Sequence, residues 1–127
     1  MTYERKTVSK TYRLRPTIVE MLDEIVAVTE ARSQAEAIED LVSGVHESAK
    51  KYSEKVRGYM RGPAPLGDEN SLKQMNQLFD LAHDLREALY QTPFDVRRLA
   101  VAYYGAPTDV EVDKAVFEFE RQAWAIN

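Results

Sequence analysis

The chain has 127 residues, 44% of them hydrophobic, with five Gly and five Pro, which excludes a wholly disordered protein and fits one compact unit or a small motif with an appendage. It has no cysteine, which excludes disulfides, thiolate metal sites and a cysteine nucleophile. The net charge of −4 is unevenly spread: residues 1–16 and 50–61 each carry +4, against −4 on 17–30, −3 on 31–49 and −5 on 62–127.

Residues 8–15 read Val-Ser-Lys-Thr-Tyr-Arg-Leu-Arg. Val8, Tyr12 and Leu14 share one parity and Ser9, Thr11, Arg13 and Arg15 the other. This period of two predicts a short strand with an apolar and a polar face, broken only by Lys10. Pro16 suits the first turn of a helix, and Ile18, Leu22, Ile25 and Val26 recur at helical spacing, predicting a helix over about 16–30. Ser33 with Glu36 three residues later forms a capping box that opens a second helix. Its apolar series 38, 42, 45, 49, 52, 56, 59 alternates steps of four and three and carries it to about Met60. Packing of that series on the chain's own C-terminal helices is favoured over a parallel coiled coil.

Arg61-Gly-Pro-Ala-Pro-Leu-Gly67 is the clearest breaker. The expected division is 1–61, a linker over 62–67, and a helical module over 68–127. Leu72, Met75, Leu78, Phe79, Ala82, Leu85 and Leu89 make the stripe of a third helix ending near Gln91. Thr92, Pro93 and Asp95 read as cap, first-turn proline and early acid of a short fourth helix that stops at Gly105. Thr108 with Glu111 is another capping box, and Val112, Val116, Phe119, Ala123 and Ile126 line the last helix. No run of eighteen apolar residues suggests a membrane span, and MTYERKTVSKTYR lacks a signal-type apolar stretch, so a cytoplasmic protein is expected.

A lone strand leaves its edge N–H and C=O groups without partners, and the chain offers no second one. The economical expectation is antiparallel pairing with the same strand of a second subunit. The polar face would then display Thr11 and Arg13 twice, on a ribbon of a size that fits the DNA major groove. Free N–H groups near Ser33 and Gln34, at the start of the second helix, could hold a phosphate.

The stretches Tyr-Arg-Leu-Arg-Pro-Thr-Ile-Val-Glu-Met-Leu-Asp-Glu-Ile and Glu-Ala-Arg-Ser-Gln-Ala-Glu-Ala-Ile-Glu-Asp-Leu-Val resemble the ribbon-helix-helix superfamily, the Arc/MetJ type, over residues 8–49. The order of strand, proline, acidic helix, Arg-Ser turn and capping box carries the resemblance. Ala31 departs from the Gly or Asn usual before that turn, and Lys10 is polar at an inward position. The resemblance implies an N-terminal ribbon-helix-helix with one strand paired across a homodimer; with the extended second helix and the three-helix C-terminal module read from periodicity, the expected fold is mainly α. It also implies double-stranded DNA as partner, bases contacted by Thr11 and Arg13 with Ser9 or Arg15, and phosphates held near Arg32, Ser33 and Gln34.

The acidic total does not oppose this, because a polyanion feels charge within about 8–10 Å, and +4 sits on the ribbon end. Lys50, Lys51, Lys55, Arg57 and Arg61 form a second basic run, read first as a solvated helix face. His46 and His83 lack metal-ligand spacing, Asp80, Asp84 and Glu87 read as a solvated acidic face, and Tyr103, Tyr104 and Trp124 read as core or interface. No catalytic constellation, metal site or cofactor motif stands out. The expected function is a DNA-binding transcriptional repressor, a homodimer that could form a higher oligomer on DNA. The alternatives are an antitoxin that also binds its operator, and a plasmid partition or relaxosome accessory protein. Residues 68–127 are available to a protein partner.

Overall fold

The computed structural model describes residues 7–67 and 70–126. Among them are five helices: α1 (Pro16–Thr29), α2 (Gln34–Met60), α3 (Ser71–Gln91), α4 (Phe94–Tyr104) and α5 (Asp109–Ile126). No strand occurs among the described residues. The ribbon-helix-helix fold class expected from the sequence is therefore corrected: residues 7–15 have no regular structure, and the regular structure among the described residues is all helical. The physical reason is hydrogen bonding. A strand exists only against a second backbone, and the described residues supply none. The alternation that suggested a strand leaves its apolar members uncovered, with Val8 78% and Tyr12 73% exposed.

The helices begin and end where local chemistry dictates. Pro16 occupies the first turn of α1, where its missing N–H leaves nothing unpaired, and the Arg15 carbonyl accepts from the Ile18 and Val19 amides at 3.0 and 3.1 Å. The Ser33 Oγ accepts the Glu36 amide at 3.1 Å, and the Thr108 Oγ1 accepts the Glu111 amide at 3.2 Å, so the hydroxyl half of each expected capping box forms. Thr92 acts differently from its expected role: it closes the end of α3 in extended conformation, and α4 begins at Phe94 after Pro93. Gly105 ends α4 at φ 68°, a conformation a Cβ disfavours, and the Ala106 amide reaches back to the Ala100 carbonyl at 3.1 Å.

The chain divides into two compact units, one reaching to Leu41 and the other starting at Val42. Helix α2 contributes its first turns to one and the remainder to the other. In the second unit, Ala49, Tyr52 and Val56 of α2 join Leu78, Ala82, Leu85 and Leu89 of α3 and Val112, Val116, Phe119 and Ala123 of α5 in one buried core, with Ala100 of α4. The α2 seam thus packs on the chain's own helices through its second half. Arg97 ties the helix ends together: its Nη1 donates to the Leu89 and Thr92 carbonyls, the latter at 2.7 Å, and its Nε lies 3.3 Å from Asp109. The first unit is different in kind. Among its described residues only Leu22 and Ala37 are buried. No helix among the described residues is long and apolar enough to cross a membrane.

Candidate nucleic-acid interface

Residues 7–15 form an arm in which every side chain is exposed. Ser9, Thr11, Arg13 and Arg15 all lie on it, as does Lys10. Arg15 stands directly before α1, at φ −65° and ψ 144°, so the arm meets the helix in extended conformation. No ion pair among the described residues involves Lys10, Arg13 or Arg15, and the described arm contains no acid. Three cations without an ion pair among the described residues, on one short exposed segment, suit phosphate oxygens and base edges.

The loop between α1 and α2 holds the other expected contacts. Glu30 takes the left-handed conformation, φ 59° and ψ 27°, so the turn's special backbone position falls on Glu30 and not on Ala31. Arg32 is exposed and free of ion pairs among the described residues. The Ser33 hydroxyl is committed to capping α2, and the Gln34 side chain donates to Asp23 Oδ1 at 2.6 Å. Because the Ser33 Oγ only accepts in that cap, its O–H can still donate to an anion, alongside the backbone N–H groups and the second Nε2–H of Gln34. Asp23 places a negative charge beside that position, which weakens any anion site there.

The second basic run is divided. Lys51 and Lys55 line one wall of a cleft of about 440 Å³, with Ser48, Tyr52 and Tyr59, while Asp84 and Glu87 line the other. Acids across a cleft from bases offset their field, so this face does not present a uniform positive surface. The histidines sit in polar pairs: His46 Nδ1 is 3.2 Å from the Tyr104 hydroxyl, and His83 Nε2 is 3.2 Å from Glu87. Sequence reasoning missed the aromatic cluster of His46, Tyr103 and Tyr104, whose rings meet edge to face at 5.2–6.1 Å. No sequence spacing links residue 46 to residues 103 and 104; the contact needs the tertiary fold.

No protein-family model matches the chain, and no curated protein or solved structure matches it either. The ribbon-helix-helix resemblance has no support from these comparisons.

Proposed function

We propose that this protein is a homodimeric DNA-binding transcriptional regulator, a repressor, that engages the duplex with its N-terminal arm and the α1–α2 loop. The observation that carries this reading is the arm itself: Lys10, Arg13 and Arg15 on an exposed segment whose described residues, 7–15, contain no acid. An exposed arm without regular structure is slender enough to follow a groove of the duplex. There Arg13 can donate two N–H groups to a guanine edge, and Thr11 can meet a base edge or a thymine methyl. Ser9 and Arg15 flank that pair, and Arg32 serves a backbone phosphate. Dimerisation is supported by the first unit, which exposes Leu14, Ile18, Met21, Ile38 and Leu41 while burying almost nothing. The buried core shared by α3, α4 and α5 favours a folded C-terminal unit over a toxin-wrapping tail.

Selection of bound duplexes from a random pool supplies the DNA for the test, and a mobility-shift titration then compares Arg13→Ala with the unaltered chain. The expected loss is about 1–3 kcal/mol per bidentate contact, incurred twice in a dimer, with relaxed preference at the contacted base. Equal binding by both proteins would overturn the assignment, as would failure to select any sequence.

A further inference from the structure

Helix α5 has two apolar faces. Val112, Val116, Phe119 and Ala123 fill the core, while Val110, Phe117 and Trp124, seven residues apart, are 63%, 67% and 68% exposed. A row at heptad spacing runs nearly along the helix axis and suits pairing with another helix. Trp124 is already fixed edge-on against Phe79, ring centroids 6.1 Å apart. A shallow depression lined by Val110, Asp113, Lys114, Phe117 and Glu118 opens on the same face.

The charges beside the row are sorted. At 3.6 residues per turn, Lys114 and Arg121 fall on one flank and Asp113 and Glu120 on the other. Neither Asp113 nor Lys114 has an ion pair among the described residues. Arg121 is held by Glu118, which lies farther out on its flank, with Nη2 2.5 Å from Oε1, and Glu120 pairs with Arg86.

We propose that this face is a self-association surface, on which α5 of one chain packs parallel to α5 of a second copy. The sorted flanks select both the occupant and the direction. A two-fold axis along the helices sets each basic flank against the partner's acidic flank, so that Lys114 meets Asp113 and Arg121 meets Glu120 twice over. A two-fold axis across the helices sets like flank against like, which repels. Matched positions meet in the parallel pair: valine on valine, phenylalanine on phenylalanine, tryptophan on tryptophan. An aromatic side chain covers about 150–250 Å², of which about two thirds is exposed here, so the paired rows bury roughly 600–800 Å², the size of small, transient contacts. The association is therefore weak and concentration-dependent. It belongs to the second unit and does not rest on DNA binding.

The chain lacks cysteine and has a single tryptophan, which makes the test direct. Full-length Val110→Cys, Phe117→Cys and Trp124→Cys proteins are oxidised separately, and the first and third also as an equal mixture. Each is expected to give disulfide-linked dimers alone, and the mixture only same-position links. Dilution of the unaltered chain is expected to shift Trp124 emission to the red. Lys114→Glu should raise the concentration at the midpoint of that shift roughly 3- to 10-fold, and adding Asp113→Lys to it should restore the midpoint. Predominance of Val110–Trp124 cross-links in the mixture would overturn the parallel arrangement. Absence of cross-links at all three positions, or emission unchanged by dilution, would overturn self-association through α5, including the case in which the chain dimerises only through its first unit.

Discussion

Two neighbouring residues of α2 show how burial divides polar groups into satisfied and unsatisfied. Ser53 is wholly buried, and its hydroxyl donates to the Tyr104 carbonyl at 3.0 Å. Tyr52 is 5% exposed, yet its hydroxyl has no hydrogen-bond partner among the described residues. Burial pushes its pKa above the ordinary 10, the Asp109 carboxylate adds to the rise, and Arg97 opposes it. An unpaired buried hydroxyl costs free energy, so Tyr52→Phe should be neutral or stabilising, by up to about 1 kcal/mol. Urea unfolding near neutral pH tests this: the midpoint should hold or rise with an unchanged slope. The pH dependence has a definite sign. A pKa raised on folding gives stability that is fully present below pH 10 and is lost as pH rises through the folded-state value. The phenylalanine variant should lack that alkaline loss, and a clear drop in its midpoint would mean the hydroxyl has a partner. The seam made the burial of Tyr52 legible in the sequence, but not the lack of a partner for its hydroxyl nor its neighbours Asp109 and Arg97. Its burial follows from α2 meeting helices far along the chain.

Helix boundaries were the most legible feature, because they depend on neighbours within a few residues. Pro16, Ser33 with Glu36, Thr108 with Glu111 and Gly105 all act where local chemistry placed them. Replacing Thr108 by Ala removes the acceptor for the Glu111 amide, and the expected loss is about 1 kcal/mol in thermal or urea unfolding. Thr108→Ser should retain most of the stability; equal loss in both would assign the effect to packing instead of capping. Thr92 shows the limit of local reading: α3 runs through Gln91, so Thr92 closes one helix and does not open the next. The expected strand failed for a related reason. A helix satisfies its own backbone, whereas a strand borrows its partner, and periodicity alone cannot tell whether one exists.

The two units differ in what holds them. The second has a continuous core from α2, α3, α4 and α5, while the first buries only Leu22 and Ala37 among its described residues. A helix pair with so little interior is marginal on its own and gains stability from whatever covers its exposed apolar side chains. Hydrogen exchange at low protein concentration should therefore show amides of α1 exchanging much faster than those of α3 and α5. Raising the concentration should protect α1. Protection of α1 equal to that of α3 at the lowest concentration would show that the first unit needs no association. By itself the sequence determined the five helices, two of their caps and most of the C-terminal core positions, because each depends on periodicity and on groups a few residues apart. It also determined the cationic arm, since charge is a property of composition along the chain. The tertiary structure decided what spacing cannot carry: that residues 8–15 stay unpaired, that Lys51 and Lys55 face acids across a cleft, and that Phe117 and Trp124 lie outside the core. Each of these depends on which surfaces meet, and meeting is set by chain paths that bring distant residues together or leave them exposed to water.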